Sequence, residues 1–264
     1  MRGRLENITA KLPAVIALML FVLIWWAVCA SGAVPSYMLP SPADVARAFI
    51  GDFPTLMFHA WTSVQEAVYG LLIGVGLAFA IATAMDRFRL LDEALSPLLI
   101  ISQTIPTIAI APLLVLWMGF GMAPKITLVV LTTFFPIAVG LLEGYKTADP
   151  DRILLMRTMG ANRYQIFFHV KFPAALPHFF SGLKISASYA VVGAVISEWL
   201  GGFEGLGVYM TRVRKAYSFD KMFAVIILIV IISLLLMALV DTIRRVSMPY
   251  MRVRNRKLDT RPDH

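Results

Sequence analysis

The sequence predicts an all-α polytopic membrane protein with six transmembrane helices, and three observations carry that fold class. Of 264 residues, 59% are hydrophobic and only 15% are charged, whereas soluble domains run at about 45–50% apolar and about 25% charged. Mean hydropathy is +0.76. Stretches free of Asp, Glu, Lys and Arg cover 12–43, 67–85, 94–124, 126–142, 185–197 and 222–240, and about 20 apolar residues cross a bilayer as a helix.

Residues 1–12 form a short N-terminal segment expected on the cytoplasmic side. The first apolar run holds Trp25 and Trp26 and is followed by no small-residue cleavage pattern, so it reads as a retained span rather than a signal peptide. Next, LPSPADVARAFIGDF (39–53) reads as a short surface helix. Ser41 can cap it, Pro42 suits its first position and Asp44 its first turn. Val45, Phe49 and Phe53 recur at four-residue spacing and give it one greasy face. The second, third, fourth and sixth runs need only ordinary flanks to span. The fifth, ISASYAVVGAVIS, has 13 residues. It spans by borrowing Phe179 to Lys184 and Glu198 to Leu200, or else it is a re-entrant or interfacial segment.

Charge decides between these. With six spans and the N-terminus inside, 18 of the 24 Lys and Arg residues face the cytoplasm, as the positive-inside rule requires. Without the fifth span, the tail RRVSMPYMRVRNRK would emerge on the opposite face. Six spans over residues 13–243 and a basic cytoplasmic tail over 244–264 are therefore expected. Arg212, Arg214, Lys215 and Lys221 stay on the outer side, and charge alone does not explain them.

The longest cytoplasmic piece, about 146–180, reads as two short helices. Asp149 can cap the first, Pro150 fits its first turn and Gly160 its end. The second, NRYQIFFHVK, places Tyr164, Phe167, Phe168 and Lys171 on one side, with Pro173 as its stop. Such a knob either lies flat on the bilayer or docks a partner.

This stretch resembles the cytoplasmic loop of ATP-binding-cassette (ABC) importer permeases. Its pattern is E-A-A, three residues, G, nine residues, I, one residue, L-P. Gly160 and Pro173 match in identity and spacing, Val170 and Phe172 replace the Ile and Leu, and Leu154, Leu155 and Met156 stand where E-A-A would be. PAALPHFFSGLKISASYAVVGAVISEWLGG and TIPTIAIAPLLVLWMGFG extend the likeness, which covers roughly residues 39 to 243.

The resemblance implies a type I ABC importer permease domain in a bacterial inner membrane. It also implies a separate ABC ATPase subunit, an extracytoplasmic solute-binding protein and a second permease chain, as a homodimer. Gly160, Ala161, Arg163, Phe167 and Pro173 would couple the domain to the ATPase. MRTMGANRYQIF and GAVISEWLGGFEGLGVYM look most like the permeases for thiamine-precursor pyrimidines. The same branch also serves sulfonates, taurine, nitrate and riboflavin.

No G-x-x-x-x-G-K-[ST] phosphate loop occurs, since GGFEGLG (201–207) lacks its lysine and hydroxyl. The chain is therefore expected to bind no cofactor and not to be an enzyme, with ATP used by the partner. Candidate substrate-pathway residues are the polar groups within spans: Gln103, Thr104 and Thr107 beside Pro106, then Thr132, Tyr189 and Glu198. Each hydroxyl also serves as an ordinary helix–helix contact. Gln103 stands out because it is not expected to bond its own turn as a hydroxyl does. Glu198, beside Trp199, is either a solvated carboxylate at the outer interface or a gate. Glu66, Glu143 and Asp241 read as ordinary span flanks.

Other classes fare worse. The net charge of +8 sits beside apolar runs, so it points to lipid rather than nucleic acid. The lone cysteine, Cys29, supports no disulfide framework. His59, His169, His178 and His264 are scattered and read as interfacial polar groups without a metal role. An ion-driven secondary transporter would favour a mid-span acid, and here the acids crowd the span ends.

Overall fold

The computed structural model describes residues 2–248, and among these it is helical with no strand. The side chains through Lys11 and the tail beyond Met248 lie outside the described residues, as does most of what the sequence assigns to the two terminal segments.

In chain order the helices are α1 (Arg2–Ala30), α2 (Pro42–Gly51), α3 (Phe53–Arg87), α4 (Arg89–Thr104) and α5 (Thr107–Met118). They continue as α6 (Met122–Lys146), α7 (Pro150–Thr158), α8 (Arg163–Ile166), α9 (Phe172–Leu200), α10 (Leu206–Lys215) and α11 (Phe219–Ser247). Four uninterrupted segments are long and apolar enough to cross a membrane: α3, α6, α11, and the 38 residues from Arg163 to Leu200. The pair α4 and α5 passes the same test together but is bent by 99°, as a broken span or a re-entrant loop, so the described residues hold four such spans, or five, rather than the six expected. The remaining predicted span falls on α1, apolar over Val15–Ala30.

The chain turns at two ends. One, the knob end, gathers the α3–α4 corner, α7, α8 and the close of α11. At the far end lie α2, α10 and the start of α6. The expected surface helix is α2, and its start is a capping box: Asp44 N donates to Ser41 Oγ (3.2 Å) and Ser41 N donates to Asp44 Oδ2 (3.3 Å).

The core is a seam of α3, α6 and α9, lined by Ala78, Ala82, Val129, Ile137, Leu141, Ala175, Ala187 and Ala194. Small residues let these backbones nearly touch. A Cβ on Gly182 would sit 2.4 Å from Pro136 O, and one on Gly144 would sit 2.6 Å from Ala175 Cα. Neither position has room for alanine. Ion pairs tie the knob-end half together: Lys171 to Asp86 at 2.7 Å, and Lys184 to Asp241 at 2.7 Å. Asp241 is thus a paired group rather than a plain flank.

Pro173 does not stop a helix. The chain stays helical from Arg163 to Leu200 because Phe167–Lys171 forms one π turn, with Phe172 N–H donating five residues back to Phe167 O. A π turn widens the ladder by a residue, and this one lies just before the ring whose missing N–H would otherwise break it.

Candidate functional site

At the knob end, α7 begins with Asp149, whose carboxylate accepts from Asp151 N at 3.0 Å. It closes at Gly160, which takes φ +80°, a left-handed conformation that favours glycine. Ala161 N then donates back to Met156 O at 2.9 Å. A second capping box follows at once: Gln165 N donates to Asn162 Oδ1 (2.9 Å), and Asn162 N donates to Gln165 Oε1 (2.7 Å). The N-x-x-Q spacing carried that signal in the sequence. The knob's corner is therefore fixed by hydrogen bonds on both sides of Gly160.

Its apolar residues divide cleanly. Ile166 is buried, and Phe167 packs inward on Tyr145 (5.4 Å between ring centroids) and Phe172 (6.3 Å). Phe167 is thus a root of the knob, whereas Ala161 is half-buried and Arg163 solvent-facing. Pro173 sits just past the π turn. Outward stand Leu154, Leu155, Met159, Tyr164 and Phe168, each more than half exposed.

The candidate pathway residues scatter. Near the bend, the polar side chains that end α4 turn back onto carbonyls of their own helix. Ser102 Oγ gives to Leu99 O (2.8 Å), Gln103 Nε2 also to Leu99 O (3.3 Å), and Thr104 Oγ1 to Ile101 O (2.7 Å). Gln103 therefore does bond its own turn, because its amide reaches the carbonyl four residues back. Thr107 opens α5 beyond the Ile105–Pro106 break. Thr132 Oγ1 donates to Val129 O (2.9 Å) and faces Gly193 across the α6–α9 seam. Tyr189 is half exposed on α9, and only Glu198 borders one of the two best-formed clefts.

Glu198 is where the structure departs furthest from expectation. It is 1% exposed, not a solvated interfacial carboxylate. Its Oε1 accepts from Ser63 Oγ (2.6 Å) and its Oε2 from Gly207 N (2.6 Å). Ser63 Oγ also accepts from Leu206 N (2.9 Å), and His59 Nδ1 accepts from Gly205 N (3.1 Å). Lys125 Nζ donates to Glu66 Oε1 (2.7 Å) and to Glu204 O (3.3 Å). Glu66, expected as a flank, has a fully buried side chain.

These bonds clasp residues 201–207 onto the far ends of α3, α6 and α9. The glycine-rich stretch that lacks the makings of a phosphate loop wraps an internal carboxylate instead. Gly205 has φ +119°, and a Cβ there would sit 2.2 Å from the Glu198 carboxyl carbon. Outside this clasp lies a cleft of about 240 Å³ lined by Glu198, Trp199, Gly202, Thr211, Arg212 and Lys215.

Two of the four basic residues that charge counting left unexplained find partners nearby. Arg212 donates to Phe203 O (2.7 Å). Lys221 pairs with Asp52 (2.8 Å), which also accepts from the Tyr209 hydroxyl. The Lys221 and Tyr209 bonds hold the Asp52 carboxyl below the usual range. Burial and the Asp52 bond push the Tyr209 phenol upward.

A bundle of long apolar helices with small-residue seams, a bent helix pair and an apolar knob at one end defines a polytopic membrane protein. The chain belongs to the binding-protein-dependent transport system inner membrane component family, whose model matches residues 70–253. It is 38% identical over 220 residues to a probable ABC transporter permease protein of Haemophilus influenzae, covering 83% of this chain and 90% of that one. It is 34% identical over 239 residues to the formylaminopyrimidine transport permease ThiX of Halalkalibacterium halodurans, covering 90% and 95%. Among solved structures, the chain overlays an amino acid ABC transporter (TM-score 0.62, 14% identity, 75% of this chain and 96% of that one). It also overlays the MetNI methionine ABC transporter (TM-score 0.60, 20% identity, 72% and 95%). At those identities the overlays speak for the fold alone. The chain is a multi-pass ABC importer permease subunit.

Proposed function

We propose that this permease forms the path for a small heteroaromatic solute, a pyrimidine precursor of thiamine, and that the α7–α8 knob receives force from a separate ATPase subunit. One observation carries the coupling half: a corner held by two caps presents Leu154, Leu155, Met159, Tyr164 and Phe168 outward, each more than half exposed, beside the polar helix α7. An exposed apolar cluster of this kind marks a contact surface. The knob end is then cytoplasmic and the far end faces outward, where a solute-binding protein delivers its cargo to a pair of permease chains. ATP is hydrolysed by the partner subunit, and this chain binds no cofactor.

Among the relatives, the pyrimidine permease at 34% and a riboflavin permease of Chloroflexus aurantiacus at 31% both name nitrogen heteroaromatics. A Bacillus subtilis putative permease for aliphatic sulfonates stands at 30% and an Escherichia coli taurine permease at 28%, so sulfonates are the second reading.

The test is co-purification of the tagged chain from its native membrane, followed by mass spectrometry of retained proteins and small molecules. Recovery of an ATPase and a binding protein loaded with an aminopyrimidine is the expected result. A sulfonate in that binding protein would replace the substrate half. A chain that purifies alone and transports in liposomes under an ion gradient, without ATP, would overturn the whole reading.

A further inference from the structure

The far-end clasp brings together titratable groups from every element around it: His59 and Glu66 from α3, Lys125 from α6, Glu198 from α9, Glu204 from the wrapped loop and Arg212 from α10. Their charges do not balance at depth. Glu204 and Arg212 lie at the surface, the first taking a bond from Thr62 Oγ1 (3.4 Å), the second giving one to Phe203 O. His59 accepts a backbone N–H at Nδ1, so that nitrogen carries no proton. What remains buried is one ammonium, Lys125, against two carboxyl groups, each about 1% exposed or less.

Hydrogen bonding tells the same story. Glu66 Oε1 has Lys125, but Glu66 Oε2 is buried without a donor. Ser63, which holds Glu198, stands three residues before Glu66 on α3, so the two carboxyls share one clasp. Two ionised carboxylates are acceptors only. A proton shared by the pair turns one carboxyl into a donor and leaves a single negative charge to face Lys125. An excess buried charge and an orphaned oxygen have the same remedy.

We propose that the clasp is a proton-binding site, in which one proton bridges Glu66 and Glu198 beside Lys125. Both carboxyls are closed off from solvent, which favours the smallest cation, while the cleft outside the clasp is lined by Glu198. That cleft supplies the route by which the proton exchanges with water at the far end. Loss of the proton would set two negative charges against each other directly beneath residues 201–207. Only the statement that this route opens outward rests on the permease reading.

The experiment is infrared spectroscopy of the purified full-length chain in nanodiscs, across a pH series in H₂O and D₂O. A protonated-carboxyl C=O band is expected at neutral pH, shifted in D₂O and lost in both Glu66→Gln and Glu198→Gln. It should persist in Asp52→Asn. Absence of the band at neutral pH in the wild-type chain would overturn the proposal, and so would a band that survives both glutamine variants. An absent band together with an unfolding midpoint raised by sodium but not by potassium chloride would assign the site to a metal cation instead. The wild-type series needs no variant to fold, and the readout needs no ATPase, so its failure is separable from failure of the transport reading.

Discussion

Replacing Lys125 by Met tests how much the far-end clasp stabilises the bundle. The substitution keeps length and apolar volume, so packing changes little. What it removes is the ammonium 2.7 Å from Glu66, in a pair whose side chains are 5% and 0% exposed. An exposed pair would be worth about 0–1 kcal/mol. Stranding one partner of a buried pair costs about 3–5 kcal/mol, because its charge is left without solvent or counter-ion. The variant also loses the Lys125 bond to Glu204 O, which loosens the loop.

Thermal unfolding of the purified chain in detergent measures this. For a chain of this size, about 1 kcal/mol shifts the midpoint by roughly 2–4 °C, so the expected drop is roughly 6–20 °C. Lys125→Met with Glu66→Gln should recover part of it, since one of the two buried carboxyl groups has gone while Glu198 keeps its bonds to Ser63 and Gly207. A single-variant loss under about 1 kcal/mol would refute the reasoning, as would a double variant no better than the single one.

Three further outcomes are expected. Gly205→Ala should destabilise the chain by about 1–3 kcal/mol from backbone strain alone, plus the clash with Glu198, and should speed hydrogen exchange at Leu206 and Gly207; unchanged exchange would argue against the clasp. The Asp52 carboxyl is held below its unfolded value, so the stability it contributes is present above the ordinary aspartate range and lost as pH falls through its lowered folded value. Asp52→Asn should therefore flatten the acid limb of a midpoint-versus-pH curve, and an unaltered limb would contradict the assignment. Leu155→Asp and Phe168→Asp should leave the unfolding midpoint within a degree or two, because both side chains face solvent, yet reduce retention of the ATPase on purification at least tenfold. Full retention would remove the knob as the contact.

Legibility of this molecule in its sequence followed the range of the forces involved. Spans follow from hydropathy, and the start of α2 follows from Ser41, Pro42 and Asp44, which act within one turn. Gly160 was legible as a corner for the same reason. Glu66 and Glu198 were not legible, because their partners lie 59 and 135 residues away along the chain, and a carboxylate near a span end looks the same whether water or a lysine meets it. Phe167 shared a helical face with Tyr164 and Phe168 on paper. Phe167 instead packs on Tyr145 and Phe172, and the first of these lies on another helix, where local periodicity does not reach. Gln103 was not legible either, because its folding back onto Leu99 O depends on a side-chain rotamer rather than on sequence spacing.

The π turn over Phe167–Lys171 sets the angular phase between the knob and the spans. One extra residue in a helix of 3.6 residues per turn rotates everything upstream by about 100° relative to everything downstream. Removing a single residue from 167–171 would keep every span and every cap intact, yet swing Leu154, Leu155 and Tyr164 about a quarter-turn away from where they now point. The direction in which the knob's exposed apolar residues point is thus set by one inserted residue rather than by their own chemistry, and a family of such chains could re-aim the same surface by gaining or losing it.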